Sequence, residues 1–346
     1  MIVLRSYAWR GILLGIWFLG VLFCPSIAPA KTWDPRLKTA LQYCYAGNPA
    51  AAVPLIQAYQ KEHPRDPNGL FVAAMVEEWQ AGLGPQNHRR VYPDLIKIYQ
   101  QANRLAFHLW EKNPEDVDAL VDFGNSYFLL ARLYGKNGSK MKAGLTGKKS
   151  QKHLEKAMAL DPARSDALLP IGAFHYFAGN TPDYWKPLKA MFGIKGDKEE
   201  GLAELKRALE GEHPYVWNAN YALMEIYQNS EKNWREAMKY WKVFADRFPQ
   251  NPLVNLKYAQ ILELKDKQEA VQAYLNFAAA CEGPQLQCPK KFVFYAYSQA
   301  GRLLEDLGQK TAAKQRYEQS LQFDPGDYPE RIEQIQQWLQ ALGIPQ

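Results

Sequence analysis

Threonine is scarce in this chain, five among 346 residues, while Ala, Leu, Gln, Glu and Lys abound. That usage disfavours sheets, which draw on β-branched residues, and favours helices. A strong charge of one sign is missing too: 42 basic residues stand against 36 acidic, a formal surplus of +6. So mild an excess gives no ground for a nucleic-acid or other polyanion partner. His63, His88, His108, His153, His175 and His213 show no metal-ligand spacing. No Gly-rich turn follows a strand, because no stretch reads convincingly as a strand. The carboxylate pairs Glu199-Glu200 and Glu115-Asp116 sit where helices begin and complement the helix dipole, so they are weak acid–base candidates. No enzyme, cofactor or metal centre is expected. What the chain has in plenty is apolar material, 47% hydrophobic and 13% aromatic, so it folds.

Residues 1–30 read as an address. Arg5 and Arg10 precede the apolar run Gly11 to Cys24, and Ala28-Pro29-Ala30 offers small residues where a signal peptidase reads. Cleavage after Ala30 and export, to the periplasm or its equivalent, is the expectation; the alternative is an uncleaved membrane anchor. The run of fourteen residues is shorter than the ~20 that a span requires. Phe23 before Cys24 argues against lipidation, and without the segment the chain carries 40 basic and 36 acidic residues, or +4. Three cysteines remain. Cys281 and Cys288 flank the loop-forming stretch around Gly283-Pro284, and an oxidising compartment lets them pair. Cys44 lies in an amphipathic pattern, where a buried inert thiol is expected.

Helix pairs repeat along the rest. Gly301, Leu304, Gly308, Ala313, Tyr317, Ser320 and Pro325 fall at offsets 0, 3, 7, 12, 16, 19 and 24. Small residues are needed where two antiparallel helices nearly touch, an aromatic fills the groove beside them, and proline stops the second helix. The second-helix spacing recurs in Ala237, Trp241, Phe244 and Pro249; in Ser150, Leu154, Ala157 and Pro162; in Ala102, Ala106, Leu109 and Pro114; and in Ala52, Ile56, Tyr59 and Pro64. First helices carry Phe123-Gly124 with Tyr127 and Ile171-Gly172 with His175. The spacing predicts seven pairs, near 35–62, 68–113, 116–160, 165–210, 215–248, 252–281 and 291–324, with a solvating cap over 328–342.

On these residues the chain resembles the tetratricopeptide-repeat superfamily over nearly all of 31–346. A narrower resemblance, to exported or lipid-anchored bacterial repeat proteins and to the eukaryotic repeat family linked to inclusion-body clearance, covers about Gly172 to Pro252. It rests on His175-Tyr176-Phe177, then Phe192-Gly193-Ile194, Gly196-Asp197-Lys198-Glu199-Glu200-Gly201-Leu202 and Tyr221-Ala222-Leu223-Met224-Glu225-Ile226-Tyr227. The resemblance implies an all-α, right-handed superhelical solenoid and partner binding, and brings no catalytic residues.

Two joints inside pairs go beyond a bare scaffold. Between Arg132 and Glu155 lie Lys136, Lys140, Lys142, Lys148, Lys149 and Lys152 with no acid among them, interleaved with Gly135, Gly138, Gly144 and Gly147. A basic, flexible loop is expected, merely solvated or in contact with anionic lipid or an acidic protein. Gly147-Lys148 lacks the Ser or Thr that a phosphate-binding loop needs next. The joint Gly179 to Gly196 carries Tyr184, Trp185, Leu188, Met191 and Phe192, which suits a short amphipathic helix between Pro187 and Gly193. Such an insert dips into a membrane interface or, as expected here, folds back and buries those side chains. Pro170 should kink its helix or mark a late start.

The concave face of a stack, lined by first helices, offers an extended groove that suits peptides. Reading outward positions gives Asp118, Asn125, Asp166, Tyr176, Asn218, Tyr221, Glu225, Gln228, Gln260, Tyr295 and Arg302 as its lining, with burial of Tyr176 and Tyr221 between repeats as the plainer alternative. The expected function is a non-catalytic cell-envelope scaffold for a protein or peptide partner. A ligand- or lipid-handling accessory of an envelope transport system is the alternative.

Overall fold

A computed structural model describes residues 33–84, 88–211, 213–326 and 329–341. The expected signal segment lies outside the described residues, as do Tyr328 and Leu342 at the ends of the expected cap. Among the described residues there are sixteen α-helices and no strand. They form the antiparallel pairs α1 (Pro35–Tyr45) with α2 (Val53–Glu62), α3 (Pro67–Leu83) with α4 (Tyr92–Lys112), and α5 (Val117–Lys136) with α6 (Lys140–Leu160). Then come α7 (Leu168–Gly179) with α9 (Lys198–Arg207), the short α8 (Lys186–Met191) standing between them, and α10 (Val216–Asn229) with α11 (Trp234–Arg247). The last pairs are α12 (Pro252–Leu262) with α13 (Lys267–Glu282) and α14 (Lys290–Asp306) with α15 (Lys310–Ser320), followed by α16 (Glu330–Ala341). The described residues form an all-α solenoid of stacked helix pairs. No helix among the described residues is long and apolar enough to cross a membrane.

Local chemistry sets the helix starts. Asp34, Asp66, Asp116, Asp197, Asn233, Asn251 and Asp266 each accept a backbone N–H of the following first turn, and Pro35, Pro67 and Pro252 open three of those helices. Gly138 and Gly308 turn the chain within the third and seventh pairs at φ +79° and +75°, where a side chain would be strained. Pro170 sits in the first turn of α7 behind a 3-10 turn at Ser165–Ala167, so it marks a late start.

The small residues lie where the helices touch. A Cβ on Gly301 would stand 2.5 Å from the Tyr317 ring, and one on Gly124 would stand 2.4 Å from Leu154. Ser150 Oγ donates to the Gly124 carbonyl at 2.8 Å. Ala52, Ala102, Ala106, Ala157, Ala237 and Ala313 have no exposure at all. Leu109 departs from the pattern at 38% exposed, and its neighbour Trp110 stacks on Phe123 instead, centroids 5.3 Å apart.

The expected flexible basic loop is a correction. Residues 140–160 are one helix, α6, and its glycines are contact points: a Cβ on Gly144 would meet Ile194 at 3.1 Å, and one on Gly147 would meet Phe174 at 2.9 Å. Helix packing that wants no side chain outweighs the entropic cost of glycine.

The stack also closes on itself. Trp33 meets Tyr215 edge to face at 5.2 Å, Tyr45 Oη donates to Asn218 Oδ1 at 2.5 Å, and Asn251 Nδ2 donates to the Tyr45 carbonyl at 2.7 Å. Tyr45 also packs on Phe244 and Phe248, and Trp79 on Tyr221. One apolar core therefore runs from α1–α3 into α7–α12. A second lies in α12–α16 and takes in Leu83 from α3.

Candidate binding surface

Polar side chains tie most of the repeats from α3 onward to the next. Asn68 Nδ2 on α3 donates to Asp122 on α5 at 3.2 Å, and Arg132 and Lys136 of α5 reach back to Glu78 of α3 at 2.5 and 2.7 Å. Arg164, 4% exposed, is held by Asp118 of α5 and by Asp166 at 2.8 Å. Tyr176 Oη donates to Glu231 at 2.6 Å, and Lys198 binds the same carboxylate. Glu225 pairs with Lys257, Gln260 Nε2 donates to Tyr295 Oη at 3.2 Å, and Arg302 binds Glu263 at 2.5 Å.

The expected groove residues are therefore mostly tied to a neighbouring repeat. Tyr176 is fully buried, Asn125, Asp166 and Gln228 are buried, and Asp118, Asn218, Tyr221, Glu225, Gln260, Tyr295 and Arg302 are half-buried. Tyr221 is wedged between Trp79 and Phe244, centroids 6.3 and 6.1 Å away. The reading of these positions as free outward side chains is corrected in physical terms. A first helix shows its inner side both to solvent and to the next first helix, and side chains this long reach the neighbour. Burial raises the Tyr176 and Tyr221 hydroxyls well above the usual tyrosine range, so both stay neutral. Burial would also raise the Glu78 carboxyl, but Arg132 and Lys136 beside it hold it well below the usual carboxylate range.

Closure by α1 and α3 covers α10 and reaches the start of α12, while the Gln260–Tyr295 and Glu263–Arg302 pairs lie at the other end of α12. An open cleft of about 810 Å³ adjoins the later pairs, lined by Gly47 and Leu83 on one side and by Gly283, Pro284, Lys290 and Asp324 on the other. Its floor is the loop closed by the Cys281–Cys288 disulfide, with Cα atoms 5.2 Å apart. Cys44 is a buried free thiol that burial pushes up to about 12.

The lysines of α6 are spread around it. Lys142 lies over the Tyr134 ring at 4.0 Å, Lys149 over Tyr127 at 5.5 Å, and Lys148 donates to the Phe192 carbonyl at 2.9 Å. Lys136, Lys140 and Lys152 are exposed. The insert does form a short helix, α8, but it buries its apolar side chains only in part. Tyr184 is 75% and Met191 68% exposed, while Trp185, Leu188 and Phe192 are half-buried. Its tie to α6 holds the backbone and leaves Tyr184 and Met191 facing outward. One histidine also departs from the expectation drawn from spacing: His175 of α7 comes together with Glu200 and Glu204 of α9 in space.

No family model matches the chain, and no curated protein does. Among solved structures it is similar to a thermophilic tetratricopeptide protein of Thermus thermophilus, at 20% identity over 66% of this chain and 97% of that one, TM-score 0.40. It is similar to a tetratricopeptide repeat protein of Parabacteroides merdae, at 12% identity over 89% and 97%, TM-score 0.37. Yeast Tom70 matches at 15% identity over 79% and 64%, TM-score 0.33.

Proposed function

We propose that the chain is a non-catalytic scaffold of the cell envelope that holds a protein or peptide partner on the inner wall of its later repeats. A stack of helix pairs supports the scaffold reading because its inner wall is extended, and the signal-like pattern of residues 1–30 supports the envelope setting. One observation carries the choice of surface. Half-buried, mutually paired groups from the end of α12 and from α14 present amide, carboxylate, phenol and guanidinium on one pair of neighbouring repeats, which suits hydrogen bonding to an extended backbone. Such pairs are already oriented, so binding orders few side chains. The test is co-purification from envelope extract with the mature chain, comparing wild type with Arg302→Ala/Lys290→Glu. Loss of a stoichiometric protein partner from the variant supports the proposal, and equal recovery by both contradicts it.

The alternative, a ligand- or lipid-handling accessory of an envelope transport system, is favoured by closure of the stack, which shortens the groove and leaves a cleft of drug-like size. Native mass spectrometry of protein purified from the envelope distinguishes the two. A retained small molecule supports the alternative, and a bare chain that binds a peptide supports the scaffold.

A further inference from the structure

His175 lies at the junction of three helices and is 8% exposed. Its Nδ1 is 2.7 Å from Glu204 and 4.0 Å from Glu200, both on α9. Its Nε2 is 2.9 Å from Gln151 Nε2 and 3.9 Å from Glu155, both on α6. Gln151 also donates to Glu155 at 2.8 Å. Three carboxylates thus surround one imidazole. Among the described residues, His175 is the only group that forms an ion pair with any of the three. Even a protonated imidazole leaves a negative excess there.

The helices that carry these groups cannot drift apart easily. A Cβ on Gly172 would stand 2.9 Å from the Gly201 carbonyl, and one on Gly201 would stand 2.3 Å from Tyr176 N. Backbone therefore meets backbone one turn before His175 and beside Glu200. Asp197 caps α9 by accepting the Glu199 and Glu200 N–H groups, which fixes the turn that presents Glu200. Glu200 and Glu204 stand four residues apart, on one face of the helix.

We propose that His175 Nδ1, Glu200 and Glu204 bind a divalent transition-metal cation of the zinc class. Their donor atoms lie within 4.8 Å of one another. Tetrahedral coordination with bonds of ~2.0–2.1 Å needs donors about 3.3 Å apart, so side-chain rotation without helix movement closes the set. The nitrogen donor selects zinc-like ions over calcium or magnesium, which take oxygen sets. Coordination at Nδ1 requires the proton on Nε2, and the Gln151 amide oxygen, turned to the position 2.9 Å away, accepts it. That is the outer-shell support a metal-bound imidazole ordinarily has. Three protein ligands leave a position for water, and the cation pins α7 to α9 inside the fourth repeat. Sequence spacing hides the site because His175 and Glu200 are separated by the whole insert.

The experiment is calorimetric titration of zinc chloride into the untagged chain, first dialysed against chelator, with cobalt(II) absorption as a second readout. The expected result is one ion per chain in wild type and a cobalt spectrum of four- or five-coordinate type. Glu200→Gln, a change at an exposed position that leaves folding intact, should weaken binding about tenfold or more, and His175→Ala should abolish it. Failure of wild type to bind one equivalent overturns the proposal, as does unchanged binding in Glu200→Gln.

Discussion

Replacing Gly201 with alanine tests the backbone contact on which the fourth repeat is built. The new Cβ would lie 2.3 Å from Tyr176 N, 2.6 Å from the Gly172 carbonyl and 2.8 Å from Tyr176 Cα. Carbon contacts ordinarily begin near 3.5 Å, so α7 and α9 must separate by about 1 Å, and no flexible side chain is available to yield instead. Overpacking of this kind costs about 1–3 kcal/mol, and the rigid partner places it at the upper end. Alanine recovers up to about 1 kcal/mol of helix propensity, which leaves a net loss of about 2 kcal/mol. Gly135→Ala is the control, since the atom nearest its Cβ is Ala143 Cβ at 3.8 Å and the glycine is exposed near the end of α5. It should be neutral or stabilising by up to about 1 kcal/mol. Urea unfolding followed by circular dichroism measures both. Equal stability of Gly201→Ala and wild type would refute the close-contact reasoning.

Glu78→Gln should cost about 3 kcal/mol at neutral pH, because it leaves Arg132 and Lys136 without their shared carboxylate. The Glu78 pKa is lowered in the fold, so its contribution is fully present above ~4.3 and is lost as pH falls below that value. The gap between wild type and variant should shrink from pH 5 to pH 3 (about two units), and a constant gap would count against the pairing. Removing the Cys281–Cys288 disulfide with a double alanine change should lower stability by about 2–3 kcal/mol, read by denaturant midpoint; no change would mean that the loop is held by other contacts. Cys44 should resist thiol reagents in the native protein and react on unfolding, and rapid native labelling would contradict its burial.

The helix pairs were legible because their signal is local. Gly301 and Tyr317 are brought together by one turn, and the small residue, aromatic and proline repeat wherever two helices of a pair must touch. The lysines and glycines of 140–149 misled for the opposite reason: composition suggested a loop, while the partners that make those glycines useful, Phe174 and Ile194, come from the next pair. Closure of the stack was invisible because Tyr45 and Asn251 are 206 residues apart in sequence. The groove residues were found as positions, but their pairing to the next repeat depends on the twist between pairs, which no single repeat encodes. Tyr221 shows the consequence. Wedged between Trp79 and Phe244, it is a packing residue, and its removal would disturb the core.

The scaffold account is tested most directly by measuring partner recovery with two variants of intact fold, side by side with wild type. Arg302→Ala/Lys290→Glu alters the open inner wall and cleft, where the lost Glu263 pair is one-third exposed on the arginine side and worth at most about 1 kcal/mol to the fold. Lys148→Glu/Lys149→Glu, the basic-face variant, reverses two of the lysines spread around α6 instead. With helical content equal by circular dichroism, the account predicts that the wall variant loses the protein partner and the basic-face variant keeps it. Retention by the wall variant, together with loss by the basic-face variant and binding of wild type to anionic vesicles, would contradict it and make the membrane-facing surface the working one.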